Sequence, residues 1–348
     1  MLLFATATCV LLVSAATSQE IRSAPPSFTR IPLSIPVHVT ANATVIDYDT
    51  PRNQTQLTGL VQDTFSVNSS VSSLQVGSAE ITRSYLIFGE LYVPLNWENR
   101  GSGVLEFAVH GLNLDRFYWS IGGQGSQFNY VESSIASGNA VFVFDRLGSG
   151  NSSKPDGIKE VQTAIHVAVM QSLVTFFRHG VHGFAFNFLL ASLAANHANI
   201  LDALILTGFT TDTRAVAVVN AGLGLTIASI ANPSKFGTLS NSYLATASGV
   251  NLQQDFLHFP DFPQSSLDFI VQHKGVITIG ELLTRGQALS KTAAAYTGPV
   301  LVVTGDKDMV ECGGDCHQSS NGSANLLEPA HSFFPSVSVF ETFIPCDP

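Results

Sequence analysis

Apolar runs of strand length recur along this chain at intervals that leave room for a helix between them. VLEFAV at 104–109 is continuous enough to be buried on both faces, and it ends at His110-Gly111. AVFVF at 140–144 ends at Asp145-Arg146-Leu147-Gly148-Ser149-Gly150, and VLVV at 300–303 ends at Thr304-Gly305-Asp306-Lys307-Asp308. A further run covers 204–206, residues 160–178 and 187–197 read as helices, and a last strand is expected over 337–344. Strands without polar alternation, separated by helices, need a sheet covered on both sides, which is the parallel α/β arrangement. The pattern therefore excludes all-helical and all-β architectures.

At 348 residues the chain can bury one large domain or two smaller ones. It divides into a leader over 1–18, a β-rich N-terminal extension with short strands over 19–80, a first α/β part over 81–210, an inserted helical cap over 211–297, and a second α/β part over 298–348. The run 215–231 is expected to form one buried cap helix. Prolines and Phe256, Phe259, Phe262 and Phe269 follow it.

Leu2, Leu3, Phe4 and the apolar stretch 10–13, followed by Ser14, Ala15, Ala16 and Ser18, have the make-up of a secretory leader. The stretch is too short to span a bilayer. Asn42, Asn53, Asn68, Asn151 and Asn321 each begin an Asn-x-Ser/Thr sequon, in keeping with an extracellular, glycosylated protein. Cys312 and Cys316 are spaced to close a small disulfide in an oxidising compartment, which leaves Cys346 over. Two thiols without a nearby Cys/His pair make a poor zinc site, and neither a phosphate loop nor a dinucleotide fingerprint occurs, so no metal or cofactor is expected. The net charge of −10 argues against nucleic acid and anionic membrane surfaces.

Three strand ends could carry chemistry. His110-Gly111-Leu112 stands where backbone N–H groups can stabilise an oxyanion. The glycines after Asp145 allow a sharp turn, and Asp308 stands where a carboxylate could orient a catalytic imidazole. Each alone is equally an ordinary turn; their order along the chain is what links them.

Taken together, residues 110–119, 144–150, 205–209, 303–308 and the Cys312–Cys316 loop resemble secreted fungal α/β-hydrolases of esterase or lipase type, from about residue 80 onward. The resemblance implies an eight-stranded core sheet, an inserted helical cap and a Ser–Asp–His triad. Asp308 then corresponds to the acid, and His110, Gly111 and Leu112 to the oxyanion-hole region. The nucleophile elbow, a Gly-x-Ser-x-Gly turn, corresponds to Gly183-Phe184-Ala185-Phe186-Asn187, with Ala185 in place of the serine. The triad histidine belongs in a loop after the last strand, whereas the sequence ends at Pro348, so the second α/β part reads as truncated. His331 precedes that strand, and as a lone residue it reads as a surface histidine.

Losing one reacting member of a triad costs about 10⁶-fold in turnover, and an oxyanion hole with a binding pocket retains roughly 10³–10⁴-fold over water. Ser149, Ser152 and Ser192 do not lie on an elbow turn. Three readings stand side by side: a hydrolase whose exons are mis-joined near 178–188 and 345–348, a pseudoenzyme that binds an apolar small molecule or a partner, and a degraded copy.

Overall fold

Residues 28–46 and 75–94 form β1 (Phe28–Ile46) and β2 (Gln75–Pro94), two long antiparallel strands in place of the short ones expected in an N-terminal extension. Their alternating apolar residues explain this. Ile35, Val37, Val39, Tyr85 and Ile87 are buried while their neighbours along each strand face water. A one-sided apolar face must be covered, and it joins the main sheet under a helix instead of standing apart. The computed structural model describes residues 28–95, 97, 103–178, 182–185, 188–319 and 322–345.

The remaining strands, in chain order, are β3 (Val104–Val109), β4 (Ala140–Phe144), β5 (His182–Ala185), β6 (Leu204–Thr207), β7 (Leu225–Ile227), β8 (Tyr243–Thr246), β9 (Ile277–Thr278), β10 (Val300–Val303) and β11 (Phe340–Phe343). Eight of them make one sheet in the order β1-β2-β4-β3-β5-β6-β10-β11. Pairing is antiparallel on both sides of β2 and parallel from β4 to β11, so β2 alone runs against the rest. This order, with its single reversed strand, is the α/β-hydrolase sheet. Phe107, Phe142 and Phe144 of β3 and β4 pack ring against ring at 4.9–5.7 Å in the centre of the core.

The helices are α1 (Gln54–Thr64), α2 (Tyr130–Ala136), α3 (Thr163–Arg178), α4 (Phe188–Asn196), α5 (Val216–Gly222), α6 (Ala228–Ala231), α7 (Pro233–Phe236), α8 (Gly249–Phe256), α9 (Gln264–His273), α10 (Ile279–Thr284) and α11 (Met309–Cys312). Segments α5 to α10 fill the insertion between β6 and β10.

That insertion is not purely helical. β7, β8 and β9 pair antiparallel into a second, three-stranded sheet inside it. The single cap helix expected over 215–231 is broken into α5, β7 and α6. Gly224 adopts a left-handed backbone (φ 54°) with Asn251 Nδ2 only 2.8 Å from where a Cβ would stand. A helix cannot continue through that conformation, and only glycine tolerates both the angle and the contact.

Among the described residues, no helix is long and apolar enough to cross a membrane. The leader over 1–18, Asn321 and Cys346 lie outside the described residues.

Candidate functional site

Because β3, β4, β5, β6, β10 and β11 run parallel in the main sheet, their C-terminal ends share one edge. The strand order reverses around β3, between β4 and β5, and crevices at such a switch point bind ligands in open α/β sheets. The edge carries His110 after β3, Asp145 after β4, Ala185 at the end of β5, Gly208 after β6 and Asp308 beyond β10. The tertiary structure thus gathers at one edge residues that the sequence spreads over about two hundred positions.

His110 is buried, and its Nε2 accepts the Arg146 backbone N–H at 3.0 Å. An amide N–H can only donate, so the ring proton sits on Nδ1, which donates to the Gly111 carbonyl at 2.8 Å. Burial, then the Arg146 guanidinium, hold its pKa well below the usual histidine range. A neutral ring with both nitrogens engaged clamps the β3 and β4 loops together. Next to it Asn113 is fully buried in a left-handed backbone (φ 57°), and its carbonyl accepts the Gly275 N–H at 2.8 Å, tying the strand end to the inserted segment.

The β4 loop is a scaffold. Asp145 accepts the backbone N–H groups of Arg116 (3.0 Å) and Asn151 (2.8 Å) and pairs with Arg116 Nη1 at 2.8 Å. A Cβ at Gly150 would collide with that carboxylate. Ser152 is no free nucleophile, since its hydroxyl donates to the Asp145 carbonyl (2.6 Å) and accepts the Phe88 N–H (2.9 Å). Arg146 forms a buried ion pair with Glu281 of α10, and the same carboxylate meets His166 Nε2 at 2.9 Å. This network bolts the insertion to the core.

Asp308 caps the short helix α11. Its Oδ1 accepts the Glu311 N–H at 2.8 Å, and Oδ2 is 3.7 Å from the Cβ position of Gly208 at the end of β6. Burial raises its pKa despite the amide bonds. Glu311, which the sequence reading passed over, stands beside it. Its carboxylate accepts the Thr210 N–H at 2.9 Å, and burial, then the charge of Asp308, push its pKa up to about 8. The only hint in the sequence was the spacing of two acids one helical turn apart. Cys312 and Cys316 form a disulfide that closes this loop.

No described histidine bonds Asp308. His331 is exposed and stacks on Phe340 of β11, with ring centroids 4.8 Å apart. Ala185 pairs with Phe107 of β3 and Leu204 of β6. The chain then passes to α4 through Phe186 and Asn187, which lie outside the described residues.

A shallow cleft, with enclosed room for no more than about one water, lies between the 3₁₀ helix Arg116–Ser120, which follows β3, and α9 of the insertion. Leu114, Phe117, Tyr118, Ile121, Phe269 and Ile270 make it predominantly apolar, with Asp115 and His273 as its polar groups. The His273 ring lies against Phe117 (4.1 Å) and Phe269 (4.4 Å), and burial, then Lys235 and Arg116, lower its pKa. Asp115 is pushed up to about 6 by burial and by the charge of Asp145. Desolvation, with the charge of Asp308 adding to it, raises the pKa of Tyr118, which is 36% exposed at the cleft. Of the four cap phenylalanines, Phe269 lines the cleft, whereas Phe259 points into solvent at 74% exposure. Among the described residues, no three His, Cys, Asp or Glu side chains are grouped to hold a metal ion.

No protein-family model and no curated protein matches this sequence. Solved structures do match in shape. A protein from Rickettsia typhi described as a hydrolase shares 9% identity over 92% of this chain and 91% of its own, with a TM-score of 0.47. An α/β hydrolase from a Penicillium species shares 12% identity over 75% and 86% of the two chains (TM-score 0.44). A thermophilic esterase from Thermogutta terrifontis shares 14% over 75% and 85% (TM-score 0.42). These likenesses are too loose to build on, and the strand order of the main sheet carries the fold assignment by itself.

Proposed function

We propose that this α/β-hydrolase-fold chain is a secreted, glycosylated protein that binds an apolar small molecule in the cleft and does not hydrolyse esters by serine chemistry. One observation carries the reading. Ala185 ends β5 and is followed by Phe186, Asn187 and Phe188, so the strand-to-helix junction holds no hydroxyl, thiol or carboxylate that could attack a carbonyl. An alanine cannot be activated by any neighbour. The lining of the cleft supports an apolar acyl or aryl ligand, with Asp115 and His273 as the polar groups at hand.

The test is a thermal-shift titration of the purified chain with short aryl and acyl esters, with ester consumption followed in the same samples. A saturable rise in Tm without turnover is the expected result. Turnover above a heat-inactivated control, abolished by a serine-directed phosphonate, overturns the non-catalytic reading and reinstates an esterase. Absence of any shift removes the ligand.

Secretion and glycosylation rest on the leader and on the sequons at Asn42, Asn53, Asn68 and Asn151, whose side chains are all exposed. Expression in a secreting eukaryotic host should give medium-borne protein that loses mass on glycosidase treatment. Protein retained in the cell at its unmodified mass refutes this part.

A further inference from the structure

Among the described residues, Arg116, Arg146 and Arg285 are largely withdrawn from water, and the first two are neutralised. Arg116 pairs with Asp145 and Glu90, and Arg146 pairs with Glu281. Arg285, at the start of the 3₁₀ helix Arg285–Leu289 after α10, is the exception. Among the described residues, no carboxylate lies within ion-pair distance of it. Its side chain bonds Oδ1 of Asn220 on α5 through Nη1, at 2.6 Å.

That bond fixes the amide. Because the guanidinium only donates, the Asn220 carbonyl must face it, and the NH₂ group points elsewhere. Asn220 is 1% exposed, and its Nδ2 meets no acceptor. Among the described residues, Asn220 thus keeps one buried donor without an acceptor, on the same amide that binds the part-exposed guanidinium. Burial alone acts on the Arg285 pKa, downward, yet arginine stays charged at any ordinary pH. A buried cation that faces only a neutral amide is costly unless a counter-charge completes it.

We propose that Arg285 and Asn220 form an anion site, separate from the cleft, that takes a carboxylate or a phosphate group. The guanidinium supplies the charge and a planar fork of donors suited to either group. Asn220 is buried, and Arg285 keeps some solvent exposure, so an anion would reach the pair from the Arg285 side.

The experiment uses the full chain in thermal-shift titrations at pH 7, at an ionic strength held constant with chloride. Inorganic phosphate and acetate are titrated separately. A saturable rise in Tm with phosphate alone identifies a phosphate site, and one with acetate alone a carboxylate site. Asn220→Asp places a carboxylate beside Arg285. It should raise Tm without added anion and lose the anion response; Arg285→Gln should lose the anion response as well. The proposal is overturned if neither anion shifts the wild type beyond chloride, or if N220D keeps the full response. Because N220D is expected to fold better than the wild type, a failure of R285Q to fold leaves the test intact. Ester titrations of the cleft should be unaffected by either substitution.

Discussion

Ala185 and Asp308 lie on the same sheet edge, and between them they decide how far single residues can be repaired. On the proposed reading, Ala185→Ser supplies one member of a unit whose members act together. Asp308 spends its Oδ1 on capping α11 and bonds no described histidine. We therefore expect A185S to remain about 10⁶-fold below a complete triad, with no burst phase on an activated aryl ester; a measurable burst would show that a base is in place. Glu311 gives a second residue-scale expectation. Its folded pKa of about 8 means that the folded chain holds the proton more tightly than the unfolded one does. That stabilisation is fully present at acid pH, declines above the unfolded carboxylate value, and is gone once the pH has risen through 8. Glu311→Gln keeps the Thr210 contact and removes the charge. It should raise Tm at pH 9 by roughly 2 °C or more, and by less at pH 5. An equal shift at both pH values would contradict the assignment.

Among the elements, α10 shows how a short helix is held. Its N-cap Thr278 accepts the Glu281 N–H at 3.2 Å, while the Glu281 carboxylate accepts the Thr278 N–H at 3.1 Å, a reciprocal capping box. The same hydroxyl donates to the Val161 carbonyl at 3.0 Å and so reaches from the insertion into the core. Thr278→Ala loses the cap, worth about 1 kcal/mol, and leaves a buried carbonyl unpaired at about 1 kcal/mol more. A loss of about 2 kcal/mol, read from the urea midpoint at unchanged slope, is expected. The strands β3, β4, β6 and β10 were legible in the sequence because each is a short, largely apolar run with a glycine or an acid just beyond it. β1 and β2 were not read at their true length, since sparse alternation over some twenty residues resembles a set of short strands. The break at Gly224 was hidden as well, because an apolar stretch with one glycine also fits a helix until Asn251 is packed against it.

At the scale of the molecule, the insertion and the sheet are joined through buried charge. Glu281 faces both Arg146 and His166, and each of the three side chains is more than nine-tenths buried. Removing one partner of such a group leaves the other charge unpaired out of water. Glu281→Gln should therefore destabilise the whole chain by about 3–5 kcal/mol in urea unfolding followed by tryptophan fluorescence. A loss below about 1 kcal/mol would mean that the insertion is not anchored there. The cleft depends on this anchoring, since one wall belongs to the β3 loop and the other to α9.

What is local was readable from the chain alone: the α/β class, the strand ends with their turns, and the Cys312–Cys316 loop. Periodicity and short-range turn chemistry determine these features, and both act within a few residues. What acts across the chain was decided by folding. Glu311 acquires its raised pKa only when burial is combined with the nearby charge of Asp308, and Phe117 and His273 become two sides of one cleft only when α9 closes over the β3 loop. Arg285 and Asn220, 65 residues apart, meet only in the packed insertion. Burial and long-range charge depend on which segments touch, and no pattern within a single segment encodes that.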